Sequence, residues 1–198
     1  MGPDRMIRIL IVDDHPALRA GLTAVLRAEP GLVPLDAVAS VSDLWPALHR
    51  TKPDVVVLDY HLPEDDGLVL CRRIKRELPA PAVLLYSAYA DTSLTIPALL
   101  AGVDGLVSKA APAGELYDAI RRVARGERVL PAISRELLDA AGAELAAGEL
   151  PILGMALEGT PVGEMADVLG LEPGEVSHRL DRMIGRLKVE VPVPRDAG

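Results

Sequence analysis

The chain has 198 residues, 49% of them hydrophobic, which suffices for one core of ordinary domain size and a second small one. A single cysteine, Cys71, excludes an intramolecular disulfide framework. No apolar run approaches the roughly 20 residues that cross a bilayer, so a soluble, cytoplasmic protein without membrane contact is expected. Of the net charge of −8, most lies at the end: residues 144–198 hold ten acids against five bases, which argues against a generic basic nucleic-acid footprint.

Taken in order, residues 7–14, "IRILIVDD", read as a strand too short and too rich in Ile and Val for a helix, and residues 16–28 follow with helical spacing through Leu18, Leu22, Val25 and Leu26. Residues 35–40 form a second strand and 41–49 a helix with Leu44, Trp45 and Leu48 on one face. "VVVLD", residues 55–59, is continuously apolar, as a parallel strand buried on both faces would be. The next helix, 67–77, turns Leu68, Leu70, Cys71 and Ile74 inward and the run Arg72, Arg73, Lys75, Arg76 to solvent. Strands at 82–87 and 105–108 alternate with helices at 92–101 and 114–125. Five strand-helix units imply a doubly wound, five-stranded parallel sheet with helices on both faces, because parallel neighbours need crossover connections.

In such a sheet the functional crevice lies beyond the carboxyl ends of the strands. Asp13 and Asp14 end the first strand, Asp59 the third, Ser87 the fourth, and Lys109 follows the fifth, so all five fall at the same end. Converging carboxylates repel, and a divalent cation resolves the conflict; Mg²⁺ suits an oxygen set beside a phosphate. An acidic nucleophile with a metal, a lysine and a hydroxyl is arranged for phosphoryl transfer, with Asp59 as acceptor. Asp14 is also placed to cap the first helix.

"ILIVDDHPALRAGL", "VVVLDYHLPEDDGL", "LLYSAYAD" and "AGVDGLVSKAAPAGEL" together resemble the flavodoxin-like receiver domain of bacterial two-component response regulators over residues 7–125. The resemblance implies that a sensor histidine kinase phosphorylates Asp59. It further implies that Asp14, Asp59 and the backbone carbonyl of His61 ligate Mg²⁺ directly, that Asp13 acts through water, and that Lys109 and Ser87 contact the phosphoryl group. Pro63 and Gly67 shape the loop beyond, while Glu64, Asp65 and Asp66 face solvent. One departure stands out: where the family carries a switching Tyr or Phe, this chain has Leu106, with Tyr86 and Tyr89 flanking Ser87 as possible substitutes.

After a helical linker, residues 150–189 read as three short helices: one at 152–158, a second capped by Thr160 with Pro161 at its first position, and a third from Pro173 to about Lys188. Two helices meeting at a glycine-bearing turn, Gly170-Leu171, form the helix-turn-helix pattern. The segment is similar to the DNA-binding domain of the NarL, FixJ and LuxR regulators through Leu153, Glu158-Gly159, Glu164, Ala166, Leu169, Leu171, Val176 and Leu187-Lys188-Val189. Gly174 and Ser177 stand where that family commonly has lysines. His178, Arg179, Arg182, Arg186 and Lys188 remain as candidate DNA contacts, Arg179 and Arg182 foremost.

The expected organisation is a receiver at 1–126, a linker at 127–146 and a helix-turn-helix domain at 147–198. The expected function is a phosphorylation-controlled transcription regulator, a signalling protein rather than an enzyme, that dimerises on DNA. The alternative is a receiver whose degenerate helix-turn-helix acts through protein contacts, favoured by the acidic tail and the two missing lysines.

Overall fold

The computed structural model describes residues 6–63, 65–88, 90 and 92–188. Five parallel strands, β1 (Ile7–Val12), β2 (Leu32–Val38), β3 (Val55–Asp59), β6 (Ala82–Ser87) and β7 (Gly105–Ser108), form one sheet in the order β2-β1-β3-β6-β7. Sequence order reverses at β1, so the crevice between β1 and β3 is the topological switch point. All five residues of β3 are buried, in keeping with its continuous apolar run and central place.

Along β1 the side chains alternate between two cores. Ile9 and Ile11 pack with Leu22 and Leu26 of α1 (Pro16–Ala28) and with Leu116, Ile120 and Val123 of α5 (Ala113–Ala124). Leu10 and Val12 pack on the other face with α2 (Val41–Thr51), α3 (Gly67–Ile74) and α4 (Thr95–Leu100). Both cores are aliphatic in the main, as the shortage of aromatics requires.

Several boundaries differ from the sequence reading. β2 starts at Leu32 rather than 35, because edge pairing with β1 carries it through Pro34. α3 ends at Ile74 and α5 begins at Ala113, while residues 92–94 form a 3-10 turn before α4. A small antiparallel hairpin, β4 (His61–Leu62) with β5 (Asp65–Asp66), stands where only a loop was expected. Neither Asp14 nor Thr160 caps a helix. His15 occupies the N-cap position of α1, and the second helix of the C-terminal part starts at Val162 with extended Pro161 before it.

The C-terminal region comprises α6 (Arg135–Ala143), capped by the Ser134 hydroxyl, and then α7 (Leu150–Glu158), α8 (Val162–Leu169) and α9 (Pro173–Leu187). All six residues of α4 are buried, which one helix on one sheet cannot achieve. The outer side of α4 is covered by α7 and α9, and one apolar cluster runs from Leu85 and Leu106 through α4 to Ile152, Val176, Leu180 and Met183. No helix among the described residues is long and apolar enough to cross a membrane.

Candidate functional site: an acid cluster and a docked helix

The expected site residues converge at the carboxyl end of the sheet. Asp13 and Asp59 are 2% and 3% exposed, and both depend on one cation, since Lys109 Nζ donates to Asp13 Oδ2 and to Asp59 Oδ2, each at 2.8 Å. Two acids so buried are tolerable only when their charge is compensated in place. Burial, the largest influence, pushes the Asp59 carboxyl above its ordinary range, with the Asp13 charge adding to it, while the Lys109 bond and charge pull the other way. For Lys109 burial acts downward, but the bonds and charges of Asp13 and Asp59 prevail and hold the ammonium above its ordinary value.

Backbone connections lock the three in position. Asp13 Oδ1 accepts from the His15 N–H at 2.8 Å, Arg19 Nη1 donates to the Asp13 carbonyl at 2.6 Å, and the Lys109 N–H bonds the Ser87 carbonyl at 2.8 Å. Ser87 is fully buried at the end of β6 beside β7. The His61 N–H donates to Asp59 Oδ1 at 3.3 Å. Gly67 has a steric reason: a Cβ there would lie 2.7 Å from the Asp59 carbonyl oxygen and 2.8 Å from Tyr60 Cα, so only glycine lets α3 start against the acceptor's backbone.

The side chains of Asp13, Asp14, His15 and Asp59 each bring a ligand atom within 4.8 Å of the others. Asp14 Oδ1 is shielded from solvent and accepts no hydrogen bond among the described residues. That oxygen lies 2.7 Å from His15 Nδ1, and three carboxylates gathered this closely form a hard oxygen set that fits a divalent cation.

Leu106 is 7% exposed and lies in the cluster shared by α4 and the C-terminal helices. Tyr86 is buried toward the opposite core, on the other face of the sheet from Leu106; Tyr89 and Glu64 lie outside the described residues. Cys71 is buried, and its thiol is pushed up to about 12 by that burial, as an inert core residue should be.

Four solvent assignments are corrected, those of Arg72, Lys75, Asp65 and Asp66, whereas Arg73 and Arg76 are exposed as expected. Arg72, expected on a solvated face, has a side chain only 10% exposed; its Nε donates to Asp181 of α9 and its Nη2 to the Ser177 carbonyl at 3.1 Å. Arg73 lies over the Trp45 ring at 4.8 Å and Lys75 bonds Asp104. Asp65 pairs with Arg73, and Asp66 caps α3 through the Leu68 N–H at 2.7 Å while holding Lys188 Nζ at 3.0 Å. The local pattern of α3 and its loop is compatible with exposure. For Arg72 and Asp66, the C-terminal helices seated on them reverse it.

The five candidate DNA-contact residues occupy α9 and its end. His178, Arg182 and Arg186 are exposed. Arg179 bonds Glu175 at 2.8 Å, Arg186 pairs with Glu149, and Lys188 is held by Asp66. Glu149 is buried, which raises its carboxyl's pKa, yet Arg186 and the Ala146 N–H outweigh burial and keep it below the ordinary range. Ser177 and Asp181 face the receiver. His15, Arg19 and Asp66 had no assigned role in the sequence reading, although the first two stand in the quoted "DDHPALR".

The chain matches the response regulator receiver domain over residues 9–121. It is 30% identical over 195 residues to the DNA-binding transcriptional activator DevR/DosR of Mycobacterium tuberculosis, covering 93% of this chain and 90% of that protein. It is 29% identical to the response regulator UvrY of Escherichia coli, covering 93% and 89%. RcsB from Salmonella enterica serovar Typhimurium, solved bound to the promoter rprA in the presence of phosphomimetic BeF3⁻, shares the fold with a TM-score of 0.57 and 21% identity over 95% of each chain. The chain belongs to the response regulator family and is of the NarL/FixJ type.

Proposed function

We propose that this protein is a cytoplasmic transcription regulator of a bacterial two-component system, a signalling protein rather than an enzyme, in which a sensor histidine kinase phosphorylates Asp59. The observation that carries the reading is the Lys109 ammonium held between the buried Asp13 and Asp59 carboxylates, 2.8 Å from each. Asp14, Asp59 and the His61 carbonyl would hold Mg²⁺, with Asp13 acting through water. Bound there, the ion neutralises the negative charge that gathers as the phosphoryl group is transferred. Asp59 supplies the attacking oxygen, Lys109 the cation that moves from carboxylate to phosphoryl oxygen, and Ser87 a hydroxyl at the adjacent strand end.

The division proposed is a receiver at 1–126, a linker at 127–146 containing α6, and a helix-turn-helix domain at 147–198. DNA would be bound by a homodimer through α9, using His178, Arg179, Arg182, Arg186 and Lys188. The relative DevR/DosR, matched over 93% of this chain and described as a DNA-binding transcriptional activator, supports this over a purely protein-binding role. The side of α9 bearing Ser177 and Asp181 is occupied by Arg72 and α4, so in this arrangement a major groove cannot close over it. Phosphorylation adds a charge of about −1.5 to −2 at Asp59 and shifts the population toward an undocked state. Ser87, Leu106 and α4 lie in sequence between the acceptor and α9, with packing of Leu106 in place of the family's ring.

The test has two parts. Treatment with acetyl phosphate and Mg²⁺ should add one phosphoryl group to the wild type and none to Asp59→Asn, read by intact mass. Binding to duplex DNA, titrated over a salt series, should tighten with phosphodonor. No adduct would overturn the receiver reading, and no DNA binding at low salt in either state would leave only the protein-interaction alternative.

A further inference from the structure

We propose that Arg128 and Val129 form a strap that carries the state of β7 to the C-terminal helices: Val129 is zipped by its backbone to β7, and Arg128 holds the carbonyl end of α7. The inference deepens the proposed switch and rests on that reading.

β7 is the outer strand of the sheet, so its free edge offers N–H and carbonyl groups to a segment alongside. The chain leaving α5 takes that place. Val129 bridges Gly105 in parallel: its carbonyl accepts from the Leu106 N–H at 2.9 Å, and its own N–H donates to the Asp104 carbonyl at 2.7 Å. Side chains then alternate as in a strand, Val129 packing toward the core of α1 and α5 and Leu130 toward the core shared with α4. The proposed linker thus begins on the sheet, bonded to the residue that stands at the family's switch position.

One residue earlier, Arg128 reaches the C-terminal helices. Its Nη2, Cζ and Nη1 would lie 3.0, 3.5 and 3.6 Å from a Cβ placed at Gly159, so the guanidinium is spread over that glycine. Gly159, at φ 83°, closes α7 with its N–H on the Ala156 carbonyl. The carbonyl end of a helix favours a cation, yet the last turn of α7 holds no basic residue and ends in Glu158. Arg128 supplies that charge from outside the helix. It adds a second hold on the docked helices beside the Arg72 and Lys188 pairs.

Lys109 directly follows β7, so its move toward a phosphoryl oxygen displaces the strand that carries the Val129 bridge. Arg128 is one peptide away, and a small shift of β7 is delivered to Gly159 without an aromatic ring. The contact then favours the docked state alone, and its removal acts in one phosphorylation state only.

The test uses the full chain. In hydrogen exchange of unphosphorylated protein, the Leu106 and Val129 amides should be protected together with the sheet; exchange at the rate of open chain overturns the strap, whatever the protein does to DNA. Arg128→Gln should tighten duplex binding by unphosphorylated protein about 2–5-fold, the scale of one cation at a helix terminus, and leave binding with phosphodonor unchanged. Weaker binding in both states would make Arg128 a DNA contact, and no change in either would make it a solvated side chain; each result overturns the inference. Val129→Pro removes the donor to Asp104 and should raise unphosphorylated binding likewise, while phosphoryl uptake, read by intact mass, persists. In the double variant the two gains should not add, because the bridge is what holds Arg128 in place; full additivity overturns the coupling. If Val129→Pro takes up no phosphoryl group, Arg128→Gln decides alone. A wild type that takes up no phosphoryl group, or binds no DNA in either state, fails the regulator reading instead, and exchange protection at Leu106 and Val129 tells the two failures apart.

Discussion

The acid cluster and helix α9 both depend on charged side chains, but they use them under opposite conditions. At the cluster, Asp13 and Asp59 are withdrawn from water at the ends of two adjacent strands, and one ammonium serves both. On α9 the charges lie on a helix surface, mostly half exposed: Arg186 pairs with Glu149, Arg179 with Glu175, and Asp181 is shared by Arg72 and Arg76. Buried charges have one workable arrangement, because any unpaired member is costly. Surface charges can exchange partners at little cost, which suits a helix that must leave one surface for another. The difference teaches which part of the molecule is built to stay and which to move.

Substitutions should separate the two regions in order of effect. Asp59→Asn should abolish phosphoryl uptake from acetyl phosphate and the associated gain in DNA binding, measured by intact mass and by fluorescence anisotropy. Lys109→Met leaves two buried carboxylates unpaired and should destabilise the fold at neutral pH by about 3–5 kcal/mol in denaturant titration. Its pH dependence has a defined sign. Asp59 already holds its proton more tightly in the fold than its ordinary value of 3.8 implies. The unfolded chain therefore releases that proton first, and stability falls as pH rises from 3.8 through the folded value. Removing Lys109 removes a downward influence, so the Asp59 titration followed by carboxyl NMR should move higher still.

The docked surface should respond more gently. Arg72→Ala removes a nearly buried guanidinium, but Asp181 is about half exposed and is rehydrated, so the docked state should weaken by about 1–2 kcal/mol, or 5–30-fold. Unphosphorylated protein should then bind duplex DNA more tightly, although the variant has lost a positive charge; weaker binding would mean that Arg72 contacts DNA rather than α9. Lys188→Ala, acting on a partly exposed pair, should shift the same equilibrium by less than about 1 kcal/mol. If the two variants rank in the reverse order, the α9 terminus and not its middle holds the domains together.

Much of the site was legible because strand ends were legible. Short Ile- and Val-rich runs bounded by polar residues place Asp13, Asp59, Ser87 and Lys109 at the same edge before any tertiary contact is known. Illegible were the residues whose role depends on what lies across a surface. Arg72 sits on a helix whose pattern equally permits exposure, and Asp66 reads as one of three solvated acids until α9 is brought to it. The complete burial of α4 gave a weak signal: "TIPALL" has no polar side but Thr95, which a helix open to water on its outer face would not favour. The hairpin β4–β5 was not visible at all, since two-residue strands leave no periodicity.

By itself the sequence determined the parallel sheet, its two cores and the edge where acids, hydroxyl and ammonium collect, because hydrophobic period and strand length are local properties of the chain. Only the tertiary structure decided that one lysine serves two aspartates and that α9 lies against α3 and α4. Those outcomes depend on distances between segments far apart in the chain, and side-chain charges accept whichever partner the packing brings within reach.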